Sequence, residues 1–349
     1  MSFSVGIIGL PNVGKSTLFK ALTRQEVDIS NYPFCTINPN VGIVQVPDER
    51  LDKIAEIVKP KKVTPTIIEF VDIAGLVKGA HKGEGLGNQF LSHIREVDAI
   101  LHIVRIFIDS SIKHVEEDIN PQRDIEIINT ELMMKDLETL DKHLEKVQQE
   151  VKSGPKEKIR ELETLQKIKE KLNVGYSISN INLEKGNKEL VEHLNLLTIK
   201  PVIYILNIRE NNDYSQLLKS LPENSLPIDL KIELECTELS PQELTEMNLK
   251  SRIDVLIKTC YKILDLVSFY TIKGGEEVRA WTIKKEAKVT EAGGVVHTDF
   301  KEKFIRAEVI NYKNLLEAGS WNKARSEGLI RTEGKDYLVQ DGDIIEFKI

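Results

Sequence analysis

Nine residues near the amino terminus, Gly9-Leu-Pro-Asn-Val-Gly-Lys-Ser-Thr17, directly follow a short apolar run at 5–8. Strand, glycine-bearing loop and helix in that order make a phosphate cradle. Gly9 and Gly14 permit a tight turn whose backbone N–H groups point inward, and the following helix adds its positive end. Lys15 is placed to neutralise the β- and γ-phosphates, and the Ser16 hydroxyl to coordinate Mg²⁺. Thr17 serves helix capping and local hydrogen bonding. The pattern predicts an α/β fold whose opening unit binds a nucleoside triphosphate.

At 349 residues the chain exceeds one ordinary core and suits two or three domains. A net charge of −7 excludes bulk attraction to nucleic acid, so any such contact must come from a local basic face. Cys35, Cys236 and Cys260 lie far apart without a Cys-x-x-Cys pair, which argues against a disulfide framework or structural zinc and for a reducing compartment. No apolar run approaches the ~18 residues that a membrane span needs, and the amino terminus carries no signal pattern. The expectation is a soluble cytoplasmic protein with no membrane partner.

The polar loop Asn31-Tyr-Pro-Phe-Cys-Thr36 precedes a strand at 41–46 and reads as a switch, with Thr36 reaching Mg²⁺ or the γ-phosphate only in the triphosphate state. Residues 67–75 form a buried strand ending in Asp72-x-x-Gly75. An acidic residue at the carboxyl end of a parallel strand beside the phosphate loop is positioned to hold Mg²⁺ through water. Leu76 then stands where Ras-like switches place the glutamine that orients water, so a positioning group must come from elsewhere. Two mobile segments offer one: the glycine-rich stretch 78–87 with His81, and the stretch around His114 after a strand at 100–106. Neither histidine has metal-ligand spacing.

The base-reading element is Asn207-Ile-Arg-Glu210, after an apolar strand at 202–206. Guanine-specific GTPases carry Asn-Lys-x-Asp there. Glu210 in place of the aspartate and Ile208 in place of the lysine remove the paired acceptor geometry, and adenine becomes the better match.

These stretches, together with 277–282, 297–300 and 333–345, resemble the Obg-like ATPase (YchF) family of the Obg-related, translation-factor class of P-loop proteins. The most specific match is Asp72-Ile-Ala-Gly-Leu-Val-Lys-Gly-Ala80 with Gly83-Glu-Gly-Leu-Gly-Asn-Gln-Phe-Leu91. The resemblance spans nearly the whole chain. It implies Mg²⁺-dependent hydrolysis of ATP in preference to GTP, a hydrophobic residue (Leu76) replacing the catalytic glutamine, and a loop histidine (His114) that helps position water beside Lys15. By the same likeness 12–17 hold phosphate, Ser16 and Thr36 the metal, and Asn207, Ile208 and Glu210 the base. Asn12 offers a side-chain oxygen beside the phosphates, which makes K⁺ a second candidate cation. Two departures stand out: Asp229-Leu230 where relatives carry Ser-Ala in the loop over the base, and Lys303 where relatives carry glycine.

Beyond Ile127, Met133, Leu137, Leu140, Leu144, Val147 and Val151 recur at alternating steps of four and three, Ser153-Gly-Pro155 interrupts, and Ile159, Leu162, Leu165, Ile168 and Leu172 return. This is an antiparallel helical hairpin. After 266 the stretches 281–283, 298–310 and 336–349 alternate in strand fashion around turns at Gly293-Gly294 and Asp341-Gly-Asp343, resembling the TGS domain, a ubiquitin-like β-grasp module. Lys284, Lys285, Lys288, Lys301, Lys303 and Arg306 make it a candidate RNA contact, diluted by Glu286, Glu291 and Glu302. The expected organisation is a P-loop domain of 1–128 and 198–266, a helical insertion of 129–197, and a TGS domain of 267–349. The expected function is an ATP-hydrolysing switch associated with ribosomes. The alternatives are an Obg-type GTPase and a nucleotide-regulated scaffold with incidental hydrolysis.

Overall fold

A computed structural model describes residues 3–24, 38–73, 86–109, 111–115, 118–151, 156–178, 187, 191, 193–209 and 212–349. Thr36, Leu76, His81, Cys35 and Glu210, singled out above, lie outside them.

Two six-stranded sheets carry the molecule. The first contains β1 (Phe3–Ile8), β2 (Val41–Gln45), β4 (Ile67–Asp72), β5 (Ala99–Arg105), β6 (Val202–Asn207) and β7 (Ser225–Ile228) in the order β2-β4-β1-β5-β6-β7. All neighbours are parallel except β2, which runs antiparallel to β4 at the edge. β5 is buried along its whole length, as a central strand covered by helices on both faces must be. α1 (Lys15–Thr23) follows β1 and turns Leu18, Ala21 and Leu22 into the core.

α3 (Leu86–Glu96) leads into β5, and α4 (Pro121–Val151) and α5 (Lys156–Asn173) form the hairpin. Leu140, Leu144, Val147, Leu165, Ile168 and Leu172 fill its seam, as the heptad spacing predicts. α4 begins at Pro121, earlier than the apolar stripe shows, because proline suits a first helical turn and the first two turns pack Ile125 and Ile128 against the sheet.

The second sheet runs β11-β10-β12-β8-β9-β3, with β8 (Leu266–Lys273), β9 (Glu277–Lys284), β10 (Arg306–Asn311), β11 (Arg331–Glu333) and β12 (Asp343–Lys348). Its last member, β3 (Lys62–Thr64), comes from the amino-terminal half and pairs in parallel with β9. α2 (Glu49–Val58) also packs here, burying Leu51 and Ile54 against Tyr270, Val278 and Leu315. Residues 49–64, assigned by sequence to the nucleotide-binding unit, therefore stand on the second sheet. Two further readings change. Gly293 and Gly294 lie inside a helix, Val289–Val296, rather than a turn, and glycine at 293 serves close packing, since a Cβ there would stand 3.0 Å from the Phe300 carbonyl oxygen of the next helix. That next helix, Thr298–Glu302, replaces the start of the strand predicted from 298, and Lys303 ends it at φ −104, where no glycine is needed.

Candidate nucleotide-binding site

The carboxyl ends of β1, β5 and β6 open onto a cavity of about 480 Å³. Asn12, Val13, Gly14, Lys15, Ser16 and Thr17 line one side, and Phe107, Ile112, Asn207, Arg209, Leu230, Lys231 and Leu234 the other. The loop is built as its sequence requires. Gly14 caps α1 at φ 112, and a Cβ there would lie 2.7 Å from Asn207 Nδ2. Asn12 takes the left-handed conformation at φ 63, which asparagine tolerates. The first helical bond runs from Leu18 N to Gly14 O, so the N–H groups of the first turn have no acceptor within the helix and face the cavity as an anion site.

Lys15 folds over the loop, donating to the carbonyls of Gly9 at 3.1 Å and Leu10 at 2.8 Å. Burial lowers its pKa and the Asp72 carboxylate raises it in part. Asp72, at the end of β4, is pushed up by burial and drawn down by Lys15. His102, buried on β5, is lowered to about 3, first by burial and then by Lys15, so it is a neutral imidazole in the core.

Asn207 acts as a bracket. Its Nδ2 donates to Val13 O at 2.8 Å and its Oδ1 accepts from Leu230 N at 3.4 Å, tying the phosphate loop to the segment after β7. Ile208, assigned above to the base, does not line the cavity. The chain direction at the end of β6 turns it into the apolar cluster of Val104, Ile106, Leu206 and Leu221, and it is Arg209 that faces the cavity. The Arg209 guanidinium lies 3.8 Å from the Phe107 ring centre and donates to Asp229 Oδ1 at 3.1 Å. Asp229 also accepts from Lys231 N and Ile232 N as the cap of the helix Leu230–Cys236. The departure from Ser-Ala at 229–230 thus has a structural use: the carboxylate anchors both a helix and an arginine.

His114, assigned a catalytic part, is not among the residues lining this cavity. It lines a neighbouring one of about 800 Å³, and its Nε2 lies 3.0 Å from Asp124 Oδ2 on α4, both side chains nearly inaccessible. Burial raises the Asp124 carboxyl above its ordinary value, opposed by His114 and Arg123. The loop before His114 is held by Arg105, a buried residue the sequence did not single out. Its guanidinium donates to the carbonyls of Phe107, Asp109 and Ile112 at 3.0 to 3.1 Å. Arg105 and Phe107 belong to no motif, and Arg209 and Asp229, though they stand in stretches read above, act through partners that only the fold supplies.

The proposed basic face of the carboxyl-terminal sheet is partly spent. Lys288 pairs with Asp336 at 2.6 Å, Lys303 with Asp299 at 3.0 Å, and Lys284 donates to Leu264 O at 2.8 Å. Cys236 and Cys260 are buried, and among the described residues no helix is long and apolar enough to cross a membrane.

Known proteins share this arrangement. A family model described as a 50S ribosome-binding GTPase matches residues 4–153, and the carboxyl-terminal model of the YchF GTPases, described as a protein of unknown function, matches 266–349. The ribosome-binding ATPase YchF of Bacillus subtilis is 46% identical over 100% of this chain and 99% of its own length. That of Haemophilus influenzae is 45% identical over the same shares. The solved structure of the Schizosaccharomyces pombe YchF GTPase matches with a TM-score of 0.88 and 38% identity, covering 99% of this chain and 98% of that one.

Proposed function

From the premise that this chain belongs to the YchF family, which full-length identity of 46% to a curated member establishes, we propose that it is an Mg²⁺-dependent ATPase that prefers ATP to GTP and associates with ribosomes. The observation that carries the base preference is the wall opposite the phosphate loop. Arg209 and Lys231 present hydrogen-bond donors there, while the Asp229 carboxylate is engaged by Arg209 and by the helix it caps. Guanine's ring N–H and amine need an acceptor that Asp229, so engaged, does not offer, whereas the corresponding ring nitrogen of adenine accepts from such donors.

Hydrolysis here is a matter of position and charge. The first-turn amides of α1 and the Lys15 ammonium hold the triphosphate and balance the charge that develops on it. Ser16 and Asp72 supply hard oxygen donors that suit Mg²⁺, which when bound neutralises phosphate charge. Thr36 is the further metal contact the family likeness suggests. Asn12 spends its amide nitrogen on Lys113 O at 3.3 Å, which leaves its Oδ1 as the atom suited to K⁺. His114 positions water only after leaving Asp124, so the hydrolytic state requires His114 to move from its place against α4. Ribosome association rests on the names of the relatives.

Equilibrium binding of fluorescent ATP and GTP analogues with Mg²⁺ tests the reading. The wild type binds ATP more tightly, and Arg209→Met loses about tenfold of that affinity, about 1.4 kcal/mol, with little effect on GTP. Tighter GTP binding by the wild type refutes the preference. Co-sedimentation with ribosomes in ATP and in ADP tests the partner, and a nucleotide-dependent difference separates a switch from a scaffold.

A further inference from the structure

Away from the nucleotide, three side chains from three segments meet at the helical arm. His143 on α4, Glu161 on α5 and His193, on the stretch that returns toward β6, each bring one ligand atom to a common point, all within 4.8 Å of one another. His143 Nε2 is 3.0 Å from Glu161 Oε1, and the His193 ring stands edge-on to that of His143 with centres 5.9 Å apart. The cluster sits on the apolar seam that Leu140, Leu144, Leu165 and Val191 fill. Glu161 is held as a carboxylate at the rim of that seam. Burial pushes it up, but Lys158 and His143 outweigh this and keep it below its ordinary value. Lys158 occupies only the other oxygen, Oε2, at 2.8 Å, and also reaches Glu150 at 2.9 Å.

We propose that His143, Glu161 and His193 form a binding site for a divalent transition-metal ion, with Zn²⁺ the best match to the donors. Two imidazoles and one carboxylate are a borderline donor set that selects such an ion over Mg²⁺ or Ca²⁺ and leaves a fourth position for water. In a tetrahedral zinc site the ligand atoms stand about 3.3 Å apart, so the cluster needs to contract by no more than roughly 1.5 Å at its widest. Exposed His193 supplies that movement by side-chain rotation alone. Glu161 Oε1 passes from His143 to the metal. His143 binds through deprotonated Nε2 and carries its proton on Nδ1. Lys158 stays on Oε2 and opposes the ion by its charge, which sets a moderate affinity. The occupied site clamps both arms of the hairpin to the segment that leads into β6, the strand whose last residue, Asn207, brackets the phosphate loop.

The test is a Co²⁺ titration of the full chain, without a histidine tag and without nucleotide, followed by the visible absorption of tetrahedral Co²⁺ and by its displacement with Zn²⁺. The wild type gives a saturable spectrum at one ion per chain. His193→Gln lowers the affinity at least tenfold while its metal-free melting temperature stays at the wild-type value, because the residue is exposed. Lys158→Gln raises the affinity several-fold by freeing the carboxylate. No saturable tetrahedral spectrum in the wild type, or one that His193→Gln leaves unchanged, overturns the proposal and reduces the cluster to a histidine–glutamate ion pair.

Discussion

His102 shows how a single residue beside the phosphate loop carries an acid-sensitive cost. Its imidazole titrates at about 3 in the folded chain against 6.5 for an ordinary histidine, because burial and the nearby Lys15 both disfavour its charge. Below pH 6.5 the unfolded chain takes a proton that the folded chain refuses, so stability falls as pH drops toward 3, at up to about 1.4 kcal/mol per pH unit. His102→Gln removes this contribution. Urea unfolding between pH 7.5 and 4.5 is expected to show a steeper loss in the wild type than in the variant, and parallel curves contradict the assignment. No sequence pattern distinguishes His102 from His114, since what sets them apart is packing. The phosphate loop was legible because its demands are local: Gly14 sits at positive φ and Lys15 opens the helix within one short stretch. The opposite wall was not. Phe107, Arg209 and Asp229 meet across about a hundred residues of chain, and the turn at the end of β6 that swaps Ile208 for Arg209 is a tertiary choice.

At the scale of elements, a buried carboxylate helps join the arm to the nucleotide-binding sheet. Asp136 on α4 is fully buried and accepts from Leu197 N at 2.7 Å, Thr198 N at 2.8 Å and Thr198 Oγ1 at 2.7 Å, just before β6 begins. Asp136→Ala leaves those donors buried without an acceptor and is expected to cost about 3 kcal/mol, read as a lower urea midpoint at unchanged slope. Asp136→Asn recovers only part, since its amide turns a donor toward donors. An unchanged midpoint in Asp136→Ala shows that the hairpin base is held by its apolar seam alone. The hairpin itself was readable because a two-helix seam repeats at fixed spacing. Its anchor was not, because an aspartate on an otherwise charged helix is indistinguishable from its solvated neighbours until the fold buries it. β3 was equally hidden: it is a three-residue strand whose partner β9 lies more than two hundred residues away.

That distant pairing binds the two halves of the molecule into one mechanical unit. α2 and β3 lie in the connection between β2 and β4, and β4 ends at Asp72 beside the phosphate loop, yet both pack on the second sheet. Polar contacts reinforce the joint: Tyr270 donates to Asp48 at 2.5 Å, Arg50 pairs with Asp341 at 2.7 Å, and the Thr66 and Thr282 hydroxyls share a hydrogen bond at 2.5 Å. Unfolding of the second sheet therefore exposes Leu51 and Ile54 and frees the connection that aligns β2 with β4. The chain's two tryptophans, Trp281 and Trp321, both belong to the second sheet and its helices, so their fluorescence reports on that half alone. The proposed site for ATP with Mg²⁺ lies on the other sheet, and a ligand at a hundredfold excess over its Kd adds about 2.7 kcal/mol to whatever unfolds with its site. If the halves unfold together, the tryptophan melting temperature rises by about 4 °C on adding nucleotide, the shift expected for a cooperative unit of this length. A tryptophan transition that stays in place while the far-ultraviolet dichroism transition moves shows instead that the sheets unfold separately. The joint between β3 and β9 would then be too weak to carry the state of the nucleotide site to the carboxyl-terminal sheet.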